Sequence, residues 1–345
     1  DDLDGAALMR SDSMPRPRVV GLAVVALLTM LVVLTVPRAQ AADEPTGAAT
    51  SDDLVFGAEA ARALGTDLPQ VAESIGSTAE AVGAELAEDH TLAVDPNGEL
   101  LYVDPPAPGE SPEQAPAAGA EAGAESAPPT TDPVFSLHSR PGADHTIYLD
   151  FDGNTTTGTS WNASSGVDPI VSPPYDIDGD PTSWSSTELY RIEQAWIRAA
   201  EDFRPFDVNV TTEDPGSAAL RDTGGGDTEW GVRVVTTDDT FSGCGCGGQA
   251  YIGSFDDYYD EPAFVYNQST SGVAEAVSHE VGHTMLLAHD GTSSSGYYTG
   301  HSGGGAPGWA PLMGASYYQP VTTFSQGEYF AANNNGASAN FVTGW

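Results

Sequence analysis

The sequence predicts an α/β protein: a mixed, twisted sheet with helices packed on it, preceded by a small α+β module. Three observations lead there. Alternating apolar and polar residues at 145–151 read as a strand opening the C-terminal region. Segments 187–203 and 272–288 carry apolar residues at helical spacing, with short β-branched and aromatic runs between them. Further upstream, two apolar runs flank Asn97-Gly98, a strong hairpin signal.

In chain order, residues 1–41 belong to export rather than to the fold. Arg16 and Arg18 precede an uncharged apolar run at 19–36, then Pro37 and Ala39-Gln40-Ala41. A basic flank, an apolar middle and an Ala-x-Ala site make a secretory signal peptide. Residues 1–13 read as an upstream extension, with Met14 as the start. The apolar run is long for a signal, so an uncleaved N-terminal membrane anchor is the alternative. In either case the rest is exported. Residues 42–104 form the small module: a polar spacer, one or two short helices in an alanine- and glutamate-rich stretch, and the hairpin at 91–103. A module of this size buries little core alone. Residues 105–133 are Pro, Ala, Gly, Glu and little else, without periodicity, the composition of a disordered linker. Module and linker ahead of a catalytic domain fit a pro-region; a spacer or cell-wall tether fits as well.

The domain at 134–345 opens with the strand at 145–151. Leu189, Ile192, Ala195, Trp196, Ala199 and Phe203 then mark one face of an amphipathic helix. Residues 206–212, 230–236, 250–255 and 263–266 read as strands. The second helix, 272–288, leads into a glycine-rich loop and Pro311-Leu312-Met313-Gly314. Residues 325–332 suggest a last helix.

Composition narrows the partners. The 345 residues include 50 acidic and 11 basic ones, all arginine, for a net charge of −39. Such a field repels nucleic acid and anionic membranes, leaving a membrane association only if the N-terminal run stays uncut. Cys244 and Cys246 are too close in sequence to staple distant segments, so they form a local loop bridge or stay as free thiols. Asp176, Asp178 and Asp180 have the alternate spacing of a calcium loop, but Pro181 stands where an EF-hand needs glycine. A solvated turn is the favoured reading there, and calcium (Ca2+) has no further support.

The chemistry concentrates at 279–290, His-Glu-Val-Gly-His-Thr-Met-Leu-Leu-Ala-His-Asp. Residues four apart share a helix face, so His279 and His283 can bind one zinc ion (Zn2+) through their rings. Glu280 can then reach the zinc-activated water rather than the metal, take its proton as it attacks a carbonyl, and pass it to a leaving amine. With 7 histidines in the chain, a chance pattern of this kind is expected in roughly one such chain per hundred. A third histidine, His289, makes coincidence rarer still.

Segment 279–290 resembles the extended zinc signature of the metzincin metalloproteases, and Asp290 directly after the third histidine is similar to the reprolysin (adamalysin) branch. The resemblance implies His279, His283 and His289 as zinc ligands and Glu280 as the general base. It also implies a methionine turn beneath the site, which Met313 matches, and a mixed sheet with a backing helix and an active-site helix. Extended substrates would add as a strand along 250–255. Tyr317 and Tyr318 follow Met313, and Tyr317 is the candidate for stabilising the transition state. Some metzincins place a tyrosine two residues after the methionine, where this chain has Ala315. His301 lies in a Ser/Gly loop, outside the signature.

One departure from the family pattern carries a geometric consequence. The family has glycine three residues after the second histidine; here stands Leu286. A continued helix would carry His289 about 9 Å along the axis and roughly 120° around it. The chain must therefore turn back near Leu286, where glycine accepts positive φ most easily. The sequence thus points to a secreted zinc endopeptidase whose pro-region is removed on activation. With no cysteine upstream of the catalytic domain, latency would rest on an acidic residue or on occlusion. The alternatives are a catalytically inactive, metal-stabilised surface binding module of the same fold, and a zinc hydrolase of non-protein substrates.

Overall fold

A computed structural model describes residues 53–110, 128, 130–302 and 307–333. The expected signal segment and its apolar run lie outside them. Among the described residues no helix is long and apolar enough to cross a membrane. The architecture is mixed α/β, with an eight-stranded mixed sheet and six α-helices among these residues.

The stretch expected as a small module contains β1 (Val55–Phe56), α1 (Gly57–Leu64), α2 (Leu68–Ser74), α3 (Ala79–Glu88), β2 (Leu92–Val94) and β3 (Leu100–Asp104). It holds three short helices where one or two were expected. Thr78 starts α3 by accepting the Ala81 amide at 3.2 Å, satisfying one of the orphan donors of the first turn. β2 and β3 form the hairpin expected around Asn97-Gly98, with Leu92 opposite Tyr102 and Gly98 at a φ of 90°. Leu100 and Tyr102 pack on the helices of the module, and Leu101 faces Trp161 on the other side of the sheet. Period two then sends the side chain of Asp104 to the same face as Tyr102.

The larger region adds β4 (His145–Asp150), β5 (Asn154–Thr156), α4 (Ser160–Ser165), β6 (Ile170–Ser172), α5 (Ser186–Asp202), β7 (Val208–Thr211), β8 (Trp230–Thr236), β9 (Gly248–Tyr251), β10 (Ala263–Val265), α6 (Thr270–Thr284), β11 (Trp309–Pro311) and β12 (Val321–Thr323). Strand order in the main sheet is β1-β2-β3-β9-β10-β8-β4-β7. β10, β8, β4 and β7 run parallel, whereas β9 is antiparallel to β10 and to β3. Of the strands of this sheet outside the module, β9 thus lies at one edge and β7 at the other, and β3 of the module covers the β9 edge.

α5 begins with a reciprocal capping box: Ser185 Oγ accepts the Glu188 amide at 3.2 Å, and Glu188 Oε2 accepts the Ser185 amide at 2.6 Å. Its Ile192, Ala195 and Ala199 are buried against α6 and the parallel strands. α6 is buried from Gly272 to Thr284, so the side chains it carries beyond its first two residues are surrounded by protein.

Four expectations need correction. The helix expected at 272–288 ends at Thr284. The strand expected at 250–255 runs from Gly248 to Tyr251, because Gly253 at a φ of 79° turns the chain into a short 3-10 turn. Residues 325–332 form no helix; Gly327 is left-handed with a φ of 80° and Tyr329 instead donates to Gly291 O at 2.7 Å. Pro105–Glu110, expected to begin a disordered linker, is held against α6. The Ala107 amide donates to Asn267 Oδ1 at 3.0 Å, and Glu110 accepts the amides of Gln268 and Ser269. Cys244 and Cys246 are bonded to each other as a local loop bridge.

Candidate metal centre

His279 and His283 stand one turn apart on α6, and its end decides whether His289 can join them. The Leu287 amide donates to Gly282 O at 2.9 Å and the Leu286 amide to His283 O at 3.0 Å. These are the paired bonds of a Schellman cap. Leu286 occupies the left-handed position, with a φ of 69°. The break thus falls where the histidine spacing requires it, on leucine instead of glycine. A β-carbon in that conformation costs on the order of 1–2 kcal/mol. Part of the compensation is packing, since the Leu286 side chain fills the space over Gly253, where a Cβ would come within 2.8 Å of Leu286 Cδ2.

The turn brings the three rings together, with centroids 4.7 to 5.2 Å apart. All three are buried. Each ring uses Nδ1 to hold its orientation. His279 Nδ1 meets Leu312 O at 2.7 Å, His283 Nδ1 meets Leu287 O at 2.7 Å, and His289 Nδ1 meets Asp89 Oδ2 at 2.6 Å. Carbonyl and carboxylate oxygens only accept, so each Nδ1 carries the hydrogen and each neutral ring presents a bare Nε2. Tyr102 stacks on His283 at 4.0 Å between centroids.

All three Nε2 atoms face the carboxylate of Asp104, the last residue of β3. Oδ2 lies 3.3 Å from His279 and 3.1 Å from His283, and Oδ1 lies 3.0 Å from His289. Lone pairs confront lone pairs across this gap, which only positive charge reconciles. In the metal-free chain one proton is the minimum. Burial would lower the His289 pKa, but Asp104 and Asp89 on either side override it and hold it at about 10. Burial drives His283 the other way, to about 4. A single cation at the shared point would satisfy all four residues at once. The ligand atoms lie within 4.8 Å of one another, and the buried set Asp104, His279, His283 and His289 could hold a metal ion. Three imidazole nitrogens and a carboxylate are donors that suit a divalent transition-metal ion.

Glu280 is buried beside this set. Its carboxyl lies under β9, where a Cβ on Gly248 would come within 2.1 Å of Glu280 Oε1. Burial, and then the Asp104 carboxylate, push its pKa well up. Met313 is buried beneath α6, its Sδ lying 2.3 Å from where a Cβ on Gly282 would stand. Its turn supports the centre through backbone as well: Leu312 O orients His279, and Met313 O accepts the Asp290 amide at 2.7 Å. Tyr317 sits close enough to the centre for Asp104 and Glu280, after burial, to raise its pKa. His301 stays outside, exposed and 3.1 Å from the Tyr298 hydroxyl. The acidic group Asp176, Asp178 and Glu188 is spent on its own turn: Glu188 accepts the Ile177 and Ser185 amides, and Asp176 those of Asp178 and Gly179.

Sequence reasoning missed Asp104, Asp89, Thr91 and Tyr297. Tyr297 tilts over His289 at 4.2 Å, and its hydroxyl donates to Asp104 Oδ1. Thr91 donates to Asp89 Oδ1 at 2.6 Å. The pairs Asp104–His283 and Asp89–His289 are 179 and 200 residues apart, beyond any local spacing rule. Comparison of the chain with family models, with characterised proteins and with solved structures finds no match.

Proposed function

We propose that the chain is a secreted zinc-dependent endopeptidase of metzincin type, with residues 42–104 as its pro-region. The observation that carries this reading is the cap at Leu286, which returns His289 to the pair on α6. A spacing that would be pointless on a continuous helix becomes a three-ring cluster with Glu280 beside it. The buried Met313 turn, the backing helix α5 and the antiparallel strand β9, whose far side only β3 covers, fit the same reading.

A zinc ion held by the three Nε2 atoms would supply Lewis acidity, lowering the pKa of water and polarising a carbonyl. The protein's own groups then account for the proton traffic. Glu280, once ionised, accepts a proton from the attacking water and hands it to the leaving amine. No covalent intermediate is needed. The phenol of Tyr317, with its pKa raised, keeps its proton to donate to a developing oxyanion. With β3 removed along with the pro-region, the edge of β9 would offer main-chain hydrogen bonds to an extended peptide, and Gly248 leaves the space Glu280 occupies.

The test is zinc content and casein hydrolysis for the parent chain and Glu280→Gln. Each is assayed whole and after limited subtilisin digestion, with the subtilisin then inhibited. The proposal expects about one zinc per chain in both proteins, and a loss of hydrolysis of at least 100-fold in the variant. Zinc in both with no hydrolysis in any preparation would refute it. That result would favour a second reading, a metal-stabilised binding module, which one observation supports: Asp104 and Asp89 of the same module close the ligand set and brace His289. Closed four-ligand sets are the mark of structural sites.

A further inference from the structure

We propose that Asp104 is an intramolecular inhibitor of this centre, the metal's fourth ligand in the intact chain, delivered by a strand lying in the place of substrate. The inference rests on the metal-site reading above and adds its regulation. β3 pairs antiparallel with β9 over Leu101–Tyr251, Tyr102–Ala250, Val103–Gln249 and Asp104–Gly248. It thereby uses the edge an extended peptide would use. The strand ends on Asp104, whose two oxygens divide among the three Nε2 atoms at 3.0 to 3.3 Å. A backbone bond from the Gly247 amide to Asp104 O at 2.7 Å pins the residue there.

The chain stays bound beyond Asp104. Glu110 accepts the amides of Gln268 and Ser269 just ahead of α6, and Ser269 Oγ, which caps that helix, also donates to Glu110. The module grips from the other side too, since Asp89 holds His289 Nδ1. A side chain fixed on both sides competes for the metal as a tethered ligand. Tethering multiplies affinity by on the order of 100-fold or more over a free carboxylate. A carboxylate, unlike a carbonyl, cannot be hydrolysed, so the strand occupies the site without being consumed.

The experiment uses the full-length chain loaded with cobalt, as parent, Asp104→Asn and Asp104→Ala, titrated with acetohydroxamate and followed by the visible cobalt spectrum. Asp104→Asn keeps the shape of the side chain and guards against a folding defect in Asp104→Ala. The expected result is a distinct spectrum in both variants and acetohydroxamate binding tighter by on the order of 100-fold than in the parent. Identical spectra and equal acetohydroxamate affinity in all three would overturn the inhibitor. Variants that bind acetohydroxamate but cleave no casein after subtilisin digestion would sustain the inhibitor while overturning the protease. Failure of all three to bind cobalt would overturn both.

Discussion

Replacing Leu286 tests the turn on which the centre depends. In an ordinary helix interior alanine outranks glycine by about 0.8–1 kcal/mol. At Leu286, with a φ of 69°, the order should reverse. Any residue with a β-carbon bears about 1–2 kcal/mol of strain there, while glycine costs about 0.5–1 kcal/mol of extra unfolded-state freedom. Both substitutions remove a half-buried side chain that packs over Gly253, worth about 1–2 kcal/mol. Leu286→Gly should therefore stay within about 1 kcal/mol of the parent. Leu286→Ala keeps the strain, loses the packing and should fall lower by about 1 kcal/mol more. Thermal melts of the three metal-free chains, followed by circular dichroism, read this as a gap of roughly 2 °C between the variants. Alanine melting above glycine would show that the chain does not turn left-handed here, and the convergence of His289 would lose its basis.

Gly248→Ala puts a methyl group where Glu280 Oε1 stands, 2.1 Å from the new carbon. It should cut casein hydrolysis by the digested chain by on the order of 100-fold while leaving zinc content unchanged; full activity would remove Glu280 from its assigned place. A third test concerns pH. Burial, with Glu275 and Glu201 nearby, raises the Asp202 pKa to about 7, despite the hydrogen bond from Ser278. Its position at the C-terminal end of α5 adds the unfavourable end of the helix dipole. The folded chain then binds more protons than the unfolded one between the ordinary carboxylate range and about 7. The contribution of Asp202 to stability should fall as pH rises through that window, by up to roughly 1.4 kcal/mol per unit, and level off above it. Asp202→Asn should flatten the slope in urea unfolding at successive pH values; an unchanged slope would reassign it to other groups.

Much of the frame was legible because its signals are local. The alternating run at 145–151 is β4, and the apolar stripe at 187–203 is α5. Asn97-Gly98 made its hairpin. Three histidines, Glu280 and Met313 were readable as a pattern, and the structure gathers them at one place. What escaped has physical reasons. Leucine carries no sign of a left-handed backbone, so the end of α6 was placed too late. Gly248 starts β9 without a side chain to alternate, and its role is visible only against Glu280. Asp104 was one of 50 acidic residues in the chain, and nothing in its neighbours marks it. Its importance arises from a sheet that joins β3 to β9 across more than a hundred intervening residues. Pro105–Glu110 has the composition of a linker, and only its bonds to Asn267, Gln268 and Ser269 hold it.

X-ray absorption at the zinc edge of the metal-loaded full-length chain reaches the central claim most directly. Three imidazole nitrogens and one carboxylate oxygen at about 2.0–2.2 Å are expected, with one imidazole lost in His289→Ala. A first shell with two imidazoles, or one unchanged when His289 is removed, would contradict the convergence of the three rings on a single cation.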